Sequence, residues 1–279
     1  VCPPSMYLTA TDSSKQYGTI TAPATTVNYK DIPRWVREQR YSWHGVDYMY
    51  HGQIPFDEFY HLYLETLQAV DESIESVIDW VEKNGLADNT MIVYMGDNGF
   101  QFGEHGLIDK RNAYEASMRV PMLVWAPGMV KAGTVIPQMI LNIDLAPTFL
   151  DIAGISKPVQ MQGQSFLPLL KGEKIAWRDH VFYEYYWEQA FPQTPTTFAV
   201  RTDRYKYIAC NGIWDINELY DLEKDPYEMN NLIRDKGMDK IGLRLREELY
   251  DWLEKTNGLQ IPLKKQQGRK IDNLYRTTY

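Results

Sequence analysis

Two short, almost wholly apolar runs, NTMIVYM at 89–95 and VPMLVWA at 120–126, constrain this chain more than any other feature. A strand that is apolar on both faces needs cover on both faces, which is the habit of parallel sheets layered by helices. Two such strands cannot bury each other's faces and edges, so further strands are expected beside them. The chain therefore reads as the back portion of a larger α/β domain. Its opening, VCPPSMYL, has neither an initiator Met nor a basic-then-apolar signal region, so residue 1 is expected not to be the natural beginning.

Around the strands the periodicity changes. Residues 1–55 are irregular and rich in Thr, Pro and Tyr, with one short helical candidate at 32–39. From Asp57 to Lys83 the apolar residues Tyr63, Leu67, Val70, Ile74, Val77, Ile78 and Val81 recur at three and four positions. That spacing predicts a long amphipathic helix, with Asp57 as its cap and Gly85 at its stop. Shorter helices are expected near 112–118 and over 145–153, the latter ending at Gly154. Beyond about residue 172, HVFYEYYW, TFAVRTDRYKYIA and NELYDL read as antiparallel strands with RTDR as a turn. A last helix carries Ile241, Leu245, Leu249 and Trp252 on one stripe, and the tail after it is polar. The expected fold class is α/β: part of a mostly parallel sheet sandwiched by helices, then a small antiparallel sheet with a C-terminal helix. The division expected is 1–172 for the α/β part and 173–279 for the second subdomain.

The net charge of −8 argues against nucleic acid as a partner, because a phosphate backbone calls for a basic face. An anionic substrate would have to be attracted locally, by a metal or a few placed cations. Two cysteines, Cys2 and Cys210, make no disulfide framework. No run is long and apolar enough for a membrane helix, so no membrane span is expected.

The chemistry concentrates in YMGDNGFQFGEHGLIDKR, residues 94–111. Asp97 and Asn98 follow the first strand at the edge where open α/β sheets place ligands. A carboxylate beside an amide oxygen suits a hard cation such as Ca²⁺ or Mg²⁺, and Gly96 and Gly99 would let the backbone turn. By itself GDNG reads first as a plain β-turn, since these are the commonest turn residues. His105, flanked by glycines in GEHG, stands outside any apolar stripe. Lys110 precedes a helix start; alone it would be a solvated surface lysine. Near a divalent metal, however, a lysine can bind a tetrahedral anion and a histidine can donate a proton to its leaving oxygen. Together they suggest ester hydrolysis of a sulfate or phosphate.

The stretch DNTMIVYMGDNGFQFGEHGLIDKRNAYEASMRVPMLVWAPG resembles the carboxyl-side signature of the type I sulfatases, within the alkaline phosphatase superfamily. LNIDLAPTFLDIAG, MQGQSFLPLLKG and ELYDLEKDPYEMNNL match the family in order and spacing, and IDKRNAYE is similar to the glucosamine-6-sulfatases acting on glycosaminoglycans. The resemblance implies that Asp97 and Asn98 are Ca²⁺ ligands, with Mg²⁺ the second choice. It implies that Lys110 contacts the sulfate and its bridging oxygen, and that His105 lies at the substrate rim. Arg111 either reaches substrate or braces the loop. His44 and Trp43 are candidates for a sugar subsite, against the alternative of a structural His and a packed Trp. A sulfated carbohydrate is the implied substrate, and a periplasmic, extracellular or lysosomal compartment is implied by family.

The family also uses a formylglycine made from cysteine in C-x-P-S-R, and two further aspartates on the metal. CPPSM has Met6 where the arginine belongs, and no acidic pair or strand precedes Cys2, so this match is read as fortuitous. The nucleophile and the remaining ligands are expected in an upstream segment of the same protein. Two alternatives remain: a non-catalytic sulfatase-like protein, and a phosphonate or phosphate monoester hydrolase of the same superfamily.

Overall fold

The structure, a computed structural model, describes residues 30–42, 44–50, 54–188 and 191–260. The chain begins with α1 (Arg34–Gln39) and the single turn α2 (Val46–Tyr48), followed by the long α3 (Phe56–Lys83). Asp57 lies in the first turn of α3 rather than capping it; Pro55 holds the cap position, so Asp57 contributes through the helix dipole. At the far end Gly85 adopts φ +67, the left-handed conformation that ends the helix as its position predicts.

β1 (Ile92–Met95) follows, then the two-residue strands β2 (Gln101–Phe102) and β3 (Ile108–Asp109), the one-turn helix α4 (Glu115–Met118) and β4 (Met122–Trp125). The parallel pairing expected of the two apolar strands is not what forms. β1 and β4 run antiparallel, with Ile92 opposite Trp125 and Met95 opposite Met122. A parallel neighbour needs a crossover that carries the chain back to the same end of the sheet, usually on a helix. Here the intervening residues are spent on the β2–β3 ribbon and one turn of helix, so the chain re-enters from the opposite end. The two strands are half-buried and Leu123 is exposed, so among the described residues they are not sandwiched between helices.

α5 (Leu145–Ile152) and α6 (Leu167–Leu170) pack beside this pair, with Phe166, Leu169 and Leu170 against Met122 and Val124. The Asp144 carboxylate, fully buried before α5, accepts two hydrogen bonds from Arg178 at 2.5 and 2.7 Å and backbone N–H bonds from Leu141 and Gln164. Four strands then form one antiparallel sheet in sequence order: β5 (His180–Tyr185), β6 (Thr196–Thr202), β7 (Tyr205–Asn211) and β8 (Glu218–Asp221). α7 (Asp239–Lys255) covers one face through Leu245, Leu249 and Leu253; Leu245 and Leu249 are in the expected stripe, Leu253 joins them, and Ile241 and Trp252 pack at its margin, partly buried. The other face packs on Trp35, Val36, Leu107, Ala113 and Tyr114. One core thus joins residues on both sides of the expected boundary at 172, and it lies directly behind the glycine-rich loop.

Candidate functional site

The loop after β1 is held from behind. Gly99 donates its N–H to the Ser117 carbonyl at 2.9 Å, and a Cβ at Gly99 would stand 2.2 Å from the Ala116 carbonyl oxygen. Neither Gly96 nor Gly99 has positive φ, so Gly99 is required for close approach to α4 and not for a left-handed turn. Beside it, Asp97 is exposed and accepts the Asn98 N–H at 2.9 Å through Oδ1. Asn98 donates its amide Nδ2 to the Gly99 carbonyl at 2.7 Å, which leaves the amide oxygen without a hydrogen-bond partner among the described residues. These are two adjacent hard oxygen donors, the chemistry Ca²⁺ takes. Among the described residues no group of three or more His, Cys, Asp or Glu could hold a metal. A Ca²⁺ shell of six to eight oxygens could therefore take only part of its ligands from Asp97 and Asn98.

His105 is not at a rim. It is 2% exposed, has φ +59, and stacks on Tyr114 with ring centroids 3.8 Å apart and planes 11° from parallel. Burial, helped by the Lys206 charge, pushes its pKa down to about 3, so the imidazole is neutral at physiological pH. The glycines that flank it serve the β2–β3 ribbon: Gly103 and Gly106 both take positive φ, with Gln101 paired to Asp109 and Phe102 to Ile108. Glycine neighbours suggested exposure from sequence; a ring wedged under a tight ribbon has the same signature.

Lys110 emerges from the end of that ribbon. It is half-buried and makes no ion pair or hydrogen bond with the described residues. Arg111 is held on one side: its Nη1 donates to both carboxylate oxygens of Asp109 at 2.7 and 2.5 Å, and its guanidinium sits 3.4 Å over the Phe191 ring. Glu188 lies 3.7 Å from Arg111 Nε. His44 joins the same group, with Nδ1 3.5 Å from Asp109 Oδ2 and its ring stacked on Phe191 at 5.3 Å. Burial lowers the His44 pKa, with Asp109 opposing. Trp43 lies outside the described residues, as does the CPPSM segment.

His44, Asp109, Arg111 and Phe191 are thus contiguous, while His105 stands behind them in the core. Sequence reasoning passed over Asp109, although it sits within IDKR beside Lys110; its φ of +127 and its contacts to Arg111 and His44 are tertiary facts. It also passed over a buried ionic cluster. Lys206, fully buried in β7, lies 2.8 Å from Glu115 and 2.6 Å from Glu228. Nearby, Glu218 accepts hydrogen bonds from the Tyr114 and Tyr220 hydroxyls, both at 2.6 Å.

Two family models match this chain: "Sulfatase" over residues 6–155 and "N-sulphoglucosamine sulphohydrolase, C-terminal" over 103–255. The chain belongs to the sulfatase family. An N-acetylglucosamine-6-O-sulfatase of Bacteroides thetaiotaomicron is 38% identical over 204 residues, covering 72% of this chain and 36% of that protein. Among solved structures, one described as being in complex with its substrate D-glucosamine-2-N,6-O-disulfate superposes with a TM-score of 0.67 at 36% identity. It covers 73% of this chain and 42% of that one. A phosphonate monoester hydrolase of Agrobacterium radiobacter gives 0.60 at 25% identity, over 67% of this chain and 39% of that one. The chain spans little more than a third of the length of the curated relatives it matches.

Proposed function

We propose that this chain supplies the carboxyl-side half of a sulfuric ester hydrolase site acting on a 6-O-sulfated glucosamine unit, alone or in a glycosaminoglycan fragment. One observation carries the reading: Lys110, a lysine with no ion-pair or hydrogen-bond partner among the described residues, emerges beside the buttressed Asp109–Arg111 pair in the segment that both family models cover. The identity to an N-acetylglucosamine-6-O-sulfatase and the similarity to a structure holding a 6-O-sulfated glucosamine support the choice of sugar.

In this reading Asp97 and Asn98 contribute a carboxylate and an amide oxygen to a Ca²⁺ site, with Mg²⁺ the second choice. A bound Ca²⁺ would neutralise sulfate oxygens and polarise the sulfur centre. Lys110 binds the sulfate and donates to the bridging oxygen as its bond to sulfur breaks, stabilising charge on the leaving alkoxide. Arg111 is held by Asp109 and Phe191, so it presents a fixed edge to the sugar while bracing the loop; His44 closes the same wall. His105 supports the ribbon from within and transfers no proton. The formylglycine nucleophile and the remaining metal ligands are assigned to an upstream segment of the same protein, with residues 1–172 in the catalytic domain and 173–279 in a second subdomain. No helix among the described residues is long and apolar enough to cross a membrane. A periplasmic, extracellular or lysosomal location fits the family.

The test is turnover of 6-O-sulfated N-acetylglucosamine by the enzyme carrying this chain, with aryl sulfate and aryl phosphate assayed in parallel. Sulfate release that requires Ca²⁺ supports the reading. The second reading, a phosphonate or phosphate monoester hydrolase, is favoured by the phosphonate hydrolase structure and predicts far better turnover of phosphate. Sugar binding without turnover of any ester would make the protein a non-catalytic relative.

A further inference from the structure

We infer that Lys206 is a positioning residue for this site: acting through Glu115 and the Ala113 carbonyl, it sets the placement of the Asp97–Asn98 pair and of Lys110 together. The inference rests on the site proposed above and adds a residue about a hundred positions away in sequence, on a different sheet.

The Lys206 ammonium donates to the Ala113 carbonyl at 2.8 Å and pairs with Glu115 Oε1 at 2.8 Å and Glu228 Oε1 at 2.6 Å. Glu228 Oε2 accepts the Glu115 N–H at 2.7 Å, so it meets both the side chain that binds Glu115 and the start of α4 itself. Arg201 of β6 reaches the same Glu115 carboxylate, with two nitrogens at 3.4 Å. Burial works against the Lys206 charge, but the two carboxylates outweigh it and hold the ammonium above its ordinary value. The first turn of α4 therefore hangs from charged groups supplied by the four-stranded sheet and the segment after it.

Both halves of the candidate site hang from α4 and the turn that leads into it. On one side the Ser117 carbonyl takes the Gly99 N–H, fixing the backbone just after Asp97 and Asn98. On the other, the Tyr114 N–H donates to Asn112 Oδ1 and Asn112 Nδ2 donates to Gln101 Oε1 at 2.5 Å. Gln101 pairs with Asp109, the residue before Lys110. Apolar packing has no preferred direction and would allow α4 to slide or turn. A buried ionic cluster is directional, and since a well-packed apolar cluster serves stability as well or better, stability alone does not require one here.

The test uses the enzyme with Lys206→Met and Glu228→Gln combined, so that no buried carboxylate is stranded. Glu115 keeps Arg201, and the glutamine carbonyl can still accept the Glu115 N–H. Four readouts are taken: denaturant unfolding, amide hydrogen exchange, Ca²⁺ affinity, and kcat separately from KM. The expected result is cooperative unfolding, exchange at Gly99 accelerated about tenfold or more with α7 protection unchanged, and Ca²⁺ affinity and kcat lowered about 10–100-fold with KM little moved. Lys206→Arg, which keeps the charge but displaces it, should fall between this variant and the wild type; it decides the matter if the double variant does not fold. Wild-type exchange at Gly99 together with wild-type kcat in a folded variant would overturn the inference. Failure of the site reading looks different: the unaltered enzyme would neither bind Ca²⁺ nor cleave sulfate esters, while Gly99 exchange would still judge the Lys206 link.

Discussion

Gly99 and Ser117 are joined by a single backbone hydrogen bond of 2.9 Å, and this contact leaves no room for a side chain on Gly99. Gly99→Ala places a methyl 2.2 Å from the Ala116 carbonyl oxygen, and backbone cannot swing aside as a flexible side chain would. The expected outcome is a loss of roughly 1–3 kcal/mol in denaturant unfolding, with weaker Ca²⁺ retention. Wild-type stability would mean that the loop and α4 are not in contact.

Asp97→Ala should remove a carboxylate ligand and, with it, bound calcium, as read by elemental analysis of the purified enzyme. Asp97 is exposed, so stability without metal should change little. An unchanged calcium content would take Asp97 out of the shell.

Lys110→Ala is expected to lower kcat by roughly 10²–10³, the scale of a lost donor to developing negative charge. The loss should shrink for substrates whose leaving group needs no stabilisation, such as an activated aryl sulfate. Equal losses on sugar and aryl esters would make Lys110 a sulfate anchor and not a leaving-group donor.

His105→Asn tests the reassignment of the buried histidine. Asparagine tolerates positive φ, so the ribbon can keep its path while the imidazole is lost. A general acid would forfeit roughly 10²–10⁴ in rate. A stacking support should lose stability while specific activity per folded molecule stays within about tenfold.

Glu218 gives a pH signature. Burial, partly opposed by the Tyr114 and Tyr220 hydrogen bonds, pushes its carboxyl up to about 7 in the folded protein. A raised carboxyl pKa means that the native state binds more protons than the unfolded chain between about 4.5 and 7. Its stabilising contribution is full below the unfolded value and is lost as pH rises through 7. His105, with its folded pKa near 3, has the opposite slope: its contribution is present above the usual histidine range and lost as pH falls. The two partly cancel, so the measurement is a difference. Glu218→Gln, whose amide oxygen can still accept a phenol, should gain on the wild type as pH climbs from 4.5 to 7. The total expected is on the order of 3 kcal/mol. A pH-independent difference would deny the titration.

Helices and the second sheet were largely legible because their signals are local. The spacing in α3 and α7, the stops at Gly85 and Gly154, and the RTDR turn each follow from a few neighbouring residues and the geometry of one element. Strand direction was not legible. NTMIVYM and VPMLVWA carry the same apolar content whichever way they pair, and only the path of the residues between them makes β1 and β4 antiparallel. For the site, the oxygen donors Asp97 and Asn98 and the cation Lys110 could be nominated from residue type and loop context, whereas the burial of His105 could not.

By itself, then, the sequence determined the long helices, the two apolar strands and the strands of the second sheet, and that one glycine-rich loop holds the hard-oxygen and cationic groups of a sulfatase signature. Only the tertiary structure decided that His105 is wedged against Tyr114, that Asp109 holds Arg111, and that Lys206 anchors α4 from another sheet. The reason is what each signal depends on: capping, periodicity and turn chemistry are set by a few neighbouring residues, while burial depends on what packs over a loop, and the Lys206 link joins groups about a hundred positions apart. No local pattern encodes their meeting.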